Sequence, residues 1–541
     1  MRIRWTSIHT GILAGVVIGG IFLGSLGALY QNKSRLYGIA KAQYKNFIKH
    51  KRPDDKDIGK EIYGNLNEEG KDIIVFVNAK RKGPEISPLL YGSNLSPKME
   101  SEPDIIKFVQ DKKITVFRFP GGGSPGYHWK EGKFDFGERF AQTPFSQMDY
   151  VVGFCKLTGS QLVIQVNVES GTALEAAEWV TYMKDELKFP VMYWELGNEV
   201  YGDWDRAFMS GKDYGKLIRE YAALMKAADP TIKIGMDWAP ATRWFFNIDT
   251  IKGAGDLIDF VSVHWYPNDI DPAHPQGGRI HPELEEVMAN FLHIPGIVKE
   301  IRKTFRRYAP GRQKQVEVAF LEWDGATDGP ASDFAPYSRG IVQWSLANAI
   351  FHADCLGMFA TTGVSAATQF DFQSIGFGLI RGWDQGAGWG GQRWDGEIIR
   401  PKALAIELFS KYFGDVLLPC RIQNAPFYVK KKEWAPETFG GRVPYVTVYA
   451  STSEKEKTLS LAFINKHPDR AFAVKVFILE GQPANTGKLY VLTGPSLLSQ
   501  NEQNPMTVGI KEYRIRGLAK EFDYTLPPHS VSMVVTRLEG Q

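Results

Sequence analysis

YWELGNE, residues 193–199, completes an apolar and aromatic run that starts at Val191 and ends on an acidic turn. A short run of this kind, closed by polar and glycine residues, reads as a buried strand. The same form recurs along the chain: Leu89–Asn94, Ile114–Phe119 and Leu162–Val168 lie before it, and Ile232–Trp238, Phe260–Trp265, Val316–Trp323 and Ala366–Phe372 lie after it, eight runs in all. Helical patterns separate them. Tyr214, Leu217, Ile218, Tyr221, Leu224, Met225 and Ala228 share one stripe at 3.6-residue spacing, Ile297, Ile301, Phe305 and Tyr308 form another, and Ala403–Phe413 is a third. This alternation predicts parallel βαβ units. A doubly wound open sheet is the structural rival, but no GxGxxG joins a strand to a helix; Gly121, Gly122 and Gly123 read as a close backbone turn. The expected fold class is therefore α/β, a (β/α)8 TIM barrel.

Working outward from the barrel, the 541 residues divide into five stretches. Residues 86–416 carry the barrel. Residues 417–541 change to period-two runs such as Leu459–Asn465, Ala473–Leu479 and Ser530–Thr536, the pattern of a C-terminal antiparallel β-sandwich. Residues 72–85 hold an early strand, Ile73–Val77, expected to join that sandwich, and Ile86–Tyr91 also reads as strand, closed by Gly92. Residues 36–71 form a charged tether and residues 1–35 a signal anchor. Here Arg2 and Arg4 precede the uncharged stretch Thr10–Tyr30. About 20 helical residues rise about 30 Å, enough to cross a bilayer. The expectation is a membrane anchor with the catalytic body outside the cytoplasmic membrane; the alternative is secretion after cleavage near Ser25, Gly27 or Ala28.

Composition narrows the function. Hydrophobic residues at 43% and charged residues at 23% describe packed globular domains, and a formal charge of +3 gives no footprint for a nucleic-acid partner. Cys155, Cys355 and Cys420 are widely separated, so neither a disulfide framework nor a zinc site is indicated. No metal and no organic cofactor is expected.

Barrel enzymes place their chemistry at the C-terminal ends of strands, and two of the predicted ends carry glutamate beside aromatic residues. These are Glu199 in YWELGNE and Glu322 in VAFLEW, Val318–Trp323. Cleaving a glycosidic bond needs one protonated carboxyl to assist the leaving oxygen and one ionised carboxyl near the anomeric carbon. Asn198, beside Glu199, offers an amide that can hydrogen-bond a sugar hydroxyl near the reacting carbon. On an extended strand Glu195 points to the same side as Glu199, hence into the barrel, where its charge needs a partner such as Arg118. Asp237 and Asp371 read as members of the same kind of polar network. His264, in HWY at a strand end, is read as lining the cleft. Trp383 and Trp389 sit among glycines in RGWDQGAGWGGQR, Arg381–Arg393, with Trp394 following. They suit either stacking on sugar faces or pinning a lid.

The order of these motifs resembles glycoside hydrolase clan A, and more finely family 51, the α-L-arabinofuranosidases. The similar segments are ISPLLYG (Ile86–Gly92), FRFPGG (Phe117–Gly122), GYHW (Gly126–Trp129), NVESGTALEAAEWVTYM (Asn167–Met183), WELGNEVYGDW (Trp194–Trp204) and ADPTIKIG (Ala228–Gly235). They continue with VSVHWYP (Val261–Pro267), FLEWDG (Phe320–Gly325), RPKALAIELFSKYFG (Arg400–Gly414) and LPPHSVSMVV (Leu526–Val535). The resemblance implies that Glu199 is the acid/base and Glu322 the nucleophile of a retaining hydrolase. It further implies that Arg118, Asn198, His264 and Tyr266 line the subsite nearest the cut. Trp129, in GYHW, is counted with Trp383 and Trp389 among the substrate-binding residues. Three departures bear on the substrate. The family's glutamate-histidine pair after the first-strand glycine is replaced here by Ser93, Asn94, Leu95 and Ser96; Glu195 stands where a small residue is usual; and Asp324 replaces the usual Asn after Trp323.

The expected activity is removal of terminal α-L-arabinofuranosides from a polysaccharide or oligosaccharide. Another clan activity, of endo-glucanase or xylanase type, is the alternative. A non-catalytic carbohydrate-binding envelope protein is the rival from a different class, and keeping both glutamates argues against it.

Overall fold

The computed structural model describes residues 72–539 except 98, 100–102, 123–125, 135–142, 268–283, 326–342, 375, 385–391 and 430–440. Strand β1 (Ile73–Asn78) precedes a closed barrel of eight parallel strands: β2 (Gly92–Asn94), β3 (Val116–Phe119), β4 (Gln161–Val166), β5 (Tyr193–Leu196), β6 (Lys233–Trp238), β7 (Phe260–Trp265), β8 (Glu317–Trp323) and β9 (Ala366–Gln369). They follow one another around the barrel in chain order, with β9 closing against β2. Strand alternation sends every second side chain inward. Val116, Val163, Tyr193, Phe260, Ala319, Leu321 and Ala366 therefore meet in one buried cluster that fills the barrel.

The helices outside the barrel include α1 (Pro103–Lys112), α2 (Met148–Thr158), α3 (Ala173–Thr181), α4 (Gly211–Ala228), α5 (Trp244–Ala254), α6 (Ile294–Tyr308), α7 (Leu346–Thr362) and α8 (Pro401–Tyr412). Several begin on a hydroxyl cap. Thr172, Ser210 and Ser345 each accept a backbone N–H three residues on, which satisfies one of the donors a helix leaves unpaired. On α4 the expected stripe is buried at Tyr214, Ile218, Tyr221 and Met225, whereas Leu224 is exposed, because it lies at the edge of the arc that faces the barrel.

Beyond α8 the chain forms two further sheets from β10 (Val416–Leu417), β11 (Cys420–Gln423), β12 (Val446–Ser453), β13 (Thr458–Asn465), β14 (Phe472–Glu480), β15 (Gln482–Thr493), β16 (Gly509–Arg516), β17 (Glu521–Leu526) and β18 (Ser530–Glu539). One sheet has the order β10-β12-β13-β18-β15-β16 and the other β11-β1-β14-β17. β1 lies parallel to β14, with Ile73 opposite Val474, so the second sheet is not wholly antiparallel. No hairpin links these two distant strands, and nothing then forces them to be antiparallel.

Helix α7 is buried almost throughout because it packs against β13 and β18 as well as the barrel. Its Asp354 accepts Lys466 Nζ at 2.7 Å, Thr447 Oγ1 at 2.5 Å and Tyr449 OH at 3.1 Å. Arg400, also fully buried, donates to Glu502 at 2.8 Å and to the carbonyls of Ser374, Gly376 and Gly378. Each of these buried charges is thus paired, as the cost of desolvation requires.

Several strand boundaries differ from the sequence reading, among them three at the barrel ends. Ile86–Tyr91 is not a strand: Ser87 caps a single 3-10 turn, Pro88–Leu90, since Pro88 pre-sets the backbone for a turn, and β2 starts only at Gly92. The run ending at Phe372 stops at Gln369. The run ending at Glu199 stops at Leu196, where Gly197 takes φ 94° and breaks the ladder. Among the described residues no helix is long and apolar enough to cross a membrane. The expected anchor, Thr10–Tyr30, and the tether lie outside the described residues.

Candidate active site

The carboxyl end of the barrel converges on Arg118, whose inward position on β3 leaves its guanidinium completely buried. An unpaired cation there would cost several kcal/mol. Instead Nε donates to Glu195 Oε2 at 2.6 Å, Nη1 to Glu322 Oε1 at 2.6 Å and Asn94 Oδ1 at 3.0 Å, and Nη2 to Asn198 Oδ1 at 2.9 Å. The planar fork can hold these acceptors in one fixed arrangement. Asn94 is itself fixed, donating its amide to the Leu321 and Thr368 carbonyls at 2.9 and 3.1 Å.

Glu322 is buried at the end of β8, and Tyr266 donates its hydroxyl to Oε2 at 3.0 Å. Phe370 and Phe377 contact the Tyr266 ring edge-on and hold it in place. Gly122 closes the opposite side. A Cβ at this position would lie 2.0 Å from Glu322 Oε1 and 3.1 Å from Asn198 Oδ1, so only glycine leaves the carboxylate its space.

Glu199 does not share a strand with Glu195. It sits in the turn after β5 with φ 47°, an unfavourable backbone state for a residue with a side chain. The turn is held from several sides. Gly197 N–H donates to the Val166 carbonyl at 3.1 Å, Val200 N–H to Asp237 Oδ2 at 3.2 Å, and Tyr214 OH to the Leu196 carbonyl at 2.6 Å. This aims the Glu199 carboxylate at Trp204 Nε1, 2.7 Å from Oε2, and at Tyr201 OH and His264 Nδ1, 3.3 and 3.1 Å from Oε1. One oxygen of Glu199, one of Glu322 and a nitrogen of His264 all lie within 4.8 Å of one another.

His264 joins the acids. Its Nε2 is 3.4 Å from Glu195 Oε1 and its Nδ1 3.7 Å from Glu322 Oε2, and the Glu195 oxygen also accepts Ser262 Oγ. Burial works against a charged imidazole, yet Glu322, Glu195 and Glu199 hold it well above its ordinary range. Burial would raise Glu199, but the His264, Trp204 and Tyr201 hydrogen bonds outweigh it and lower it. Burial and the charge of Glu195 push Asp237 well above the carboxylate range. Two triplets, Glu195–Asp237–His264 and Glu199–His264–Glu322, are compact enough for a cation. Arg118 already supplies the positive charge to Glu195 and Glu322, so this donor set does not call for one.

Of the sequence-predicted site residues, the fold brings Glu199, Glu322, Arg118, Asn198, His264 and Tyr266 together. Trp129 is placed differently: its indole N–H goes to the Glu175 carbonyl at 3.2 Å and its ring packs on Trp179 and Tyr182. No described contact joins it to the carboxylates. The side chain of Trp383 and all of Trp389 lie outside the described residues. Tyr201, Trp204, Gly122, Asn94 and Ser262 were missed. Tyr201 and Trp204 had a signal, lying within five residues of Glu199 in the same aromatic turn.

No family model matches the chain. The chain is 22% identical over 483 residues to "Probable alpha-L-arabinofuranosidase C" of Aspergillus terreus, covering 82% of this chain and 90% of that one. The solved family 51 α-L-arabinofuranosidase of Thermotoga petrophila superposes with a TM-score of 0.69 at 24% identity, over 86% of this chain and all of that one. The chain is similar to family 51 of glycoside hydrolase clan A. A family 44 xyloglucanase of Paenibacillus polymyxa shares the fold at a TM-score of 0.59 and 15% identity, over 86% of this chain. Within the family 51 likeness, the departures now have positions. Ser93 and Leu95 are fully buried, with Ser93 Oγ on the Gln369 carbonyl at 3.0 Å, and Asn94 is bound to Arg118. Strand β2 therefore sends no ionisable group into this glycosidase site. Asp324 is buried against Lys402, with Asn348 and Gln369 donating to it at 2.8 and 3.0 Å.

Proposed function

We propose that the protein hydrolyses terminal α-L-arabinofuranosides with retention of configuration, Glu322 serving as nucleophile and Glu199 as acid/base. The observation that carries this reading is the approach of their carboxylate oxygens to within 4.8 Å. Retaining pairs stand about 5–5.5 Å apart, whereas inverting pairs need about 6.5–9.5 Å to admit a water. Arg118 and Tyr266 donate to the two oxygens of Glu322 and hold it aimed, and Asn198 stands beside it for a sugar hydroxyl.

Glu199 and His264 lie 3.1 Å apart, and a proton held between them serves the leaving oxygen. The charge of Glu322 is a main influence keeping that proton on the pair. Once Glu322 becomes a glycosyl ester its charge is gone and the pair releases a proton more readily. That is the direction base catalysis requires in the second step, when Glu199 takes a proton from water.

The alternative of an endo-acting glucanase or xylanase is favoured by two observations: β2 offers no glutamate-histidine pair, and the fold is shared with a xyloglucanase. A panel of nitrophenyl glycosides and polysaccharides decides between them. Turnover of the α-L-arabinofuranoside is expected to exceed that of the β-xyloside and β-glucoside by at least about 100-fold, the discrimination that hydrogen-bonded sugar pockets reach. Release of internal oligosaccharides from xylan or glucan without arabinose would overturn the substrate, and initial formation of the inverted anomer by NMR would overturn the mechanism.

We also propose that residues 1–35 anchor the protein in a membrane with its barrel on the extracytoplasmic side, resting on the uncharged stretch Thr10–Tyr30. Full-length protein should sediment with membranes, and protein beginning at residue 36 should not. Recovery of mature chains starting near Gln31 would show a cleaved signal instead.

A further inference from the structure

Behind Glu322 lies a second buried charge pair that the proposed chemistry does not use. Lys402 sits in the first turn of α8 and Asp324 directly follows β8, and both side chains are fully buried. A cation in the first turn of a helix opposes the helix dipole, and an ammonium out of water is costly unless it is paired. Both costs are met by specific partners: Nζ donates to Asp324 Oδ2 and, at 2.6 Å, to the Phe377 carbonyl.

The pair is tied to the segments around Glu322. Asp324 Oδ1 accepts Gly325 N–H at 2.7 Å and Asn348 Nδ2 at 2.8 Å, and Oδ2 also accepts Gln369 Nε2 at 3.0 Å. Gln369, the last residue of β9, donates in addition to the Phe377 carbonyl at 2.9 Å, and Phe370 N–H goes to the Trp323 carbonyl at 3.1 Å. Lys402 thus joins the end of β8, the loop after β9 and the start of α8. That loop matters for what its rings hold. Phe370 and Phe377 lie 5.5 Å apart and each meets the Tyr266 ring edge-on, and Tyr266 OH donates to Glu322 Oε2 at 3.0 Å. Lys402 therefore reaches Glu322 by two routes, one through Asp324 and two residues of backbone, the other through Phe377 and Tyr266.

We propose that Lys402 is a positioning residue for Glu322 and that it works as a matched pair with Asp324, the ammonium fixing both the β8 end and the Phe370–Phe377 loop so that Tyr266 keeps its hydroxyl on Glu322. That this positioning serves glycoside cleavage rests on the proposed function; the coupling of Lys402 to Tyr266 does not. Losing Lys402 alone leaves Asp324 as an uncompensated buried carboxylate and takes one of two donors from the Phe377 carbonyl. Losing the Asp324 charge alone is milder, because an unpaired buried lysine can shed its proton and still donate to Phe377. Losing both leaves no unpaired charge in the pair's place.

The test uses full-length protein labelled with 3-fluorotyrosine and two readouts: the fluorine NMR signal of Tyr266, assigned by its loss in Tyr266→Phe, and turnover of 4-nitrophenyl α-L-arabinofuranoside per folded molecule. In Lys402→Met the Tyr266 signal should move and kcat should fall about 100-fold with KM nearly unchanged, the loss that a displacement of about 1 Å at a reacting group brings. Asp324→Asn should lose less, and the double variant should recover at least about tenfold over Lys402→Met, a coupling that independent sites do not show. Lys466→Met breaks another fully buried lysine–aspartate pair, with Asp354, on the side of α7 that meets the sandwich. It should lower the unfolding midpoint and leave the Tyr266 signal and kcat in place. If Lys402→Met does not fold, the double variant is compared with Asp324→Asn, and its lost donor to Phe377 should move the Tyr266 signal further. An unmoved signal in that comparison, a wild-type signal or wild-type kcat in folded Lys402→Met, losses that merely multiply in the double variant, or an equal effect of Lys466→Met would overturn the positioning role. Absence of turnover in the wild-type protein would instead overturn the substrate, and the Tyr266 signal, read without substrate, would still decide the role of Lys402.

Discussion

Replacing Glu322 with alanine is expected to lower turnover of a nitrophenyl α-L-arabinofuranoside by about 10⁴-fold or more, a loss of roughly 5 kcal/mol or more in transition-state stabilisation. In the proposed mechanism this carboxylate forms the covalent intermediate, and the groups in contact with it do not replace it: Arg118 and Tyr266 are donors and Gly122 has no side chain. Truncation leaves a space the size of a small anion beside the Arg118 guanidinium. Azide entering there should attack the anomeric carbon directly and give the inverted glycosyl azide. Glu199→Ala should behave otherwise. A good leaving group needs little proton assistance, so Glu322 is still glycosylated, the intermediate accumulates, and azide releases it with retention. The stereochemistry of the two azide products, read by NMR, is the measurement. Identical products from both variants, or wild-type turnover in either, would mean that the roles are wrongly assigned.

Arg118→Met should destabilise the protein by about 3–5 kcal/mol, read as a lower midpoint of chemical unfolding, and should abolish glycosidase activity as well. The guanidinium is the shared counterion of Glu195 and Glu322 and a hydrogen-bond donor to Asn94 and Asn198. A methionine fills much of the volume but leaves two buried carboxylates without their guanidinium partner, beside a third acid, Asp237, that burial and Glu195 already push well above the carboxylate range. Arg118→Lys keeps the charge but reaches fewer of the four acceptors, so it should recover part of the stability and little of the activity. A midpoint unchanged within about 0.5 kcal/mol for Arg118→Met would show that the cluster does not depend on this cation.

The paired glutamates and most of their neighbours were legible because strand alternation and strand ends are local properties. Arg118, Glu195 and His264 fall on inward positions of their strands, and an inward charge has to meet another inward charge. Glu199 was read as the end of the strand, whereas it lies in the turn that follows. Its place depends on a positive φ after Gly197 and on Asp237 and Tyr214, which hold the turn from β6 and α4. No pattern within YWELGNE shows those contacts. Trp129 was counted among the substrate-binding residues from its motif, and the fold packs its ring on Trp179 and Tyr182, about fifty residues on.

By itself the sequence determined the barrel, its strand order and the identity of the paired carboxylates, since the period of hydrophobic residues and the position of acids at strand ends need no long-range contact to be read. The tertiary structure alone decided the distance between Glu199 and Glu322, the sharing of Arg118 among four acceptors, and the parallel pairing of β1 with β14. Each of these joins residues far apart in the chain, and their separation in space is set by barrel closure and by packing against neighbouring elements, which no local window of sequence contains.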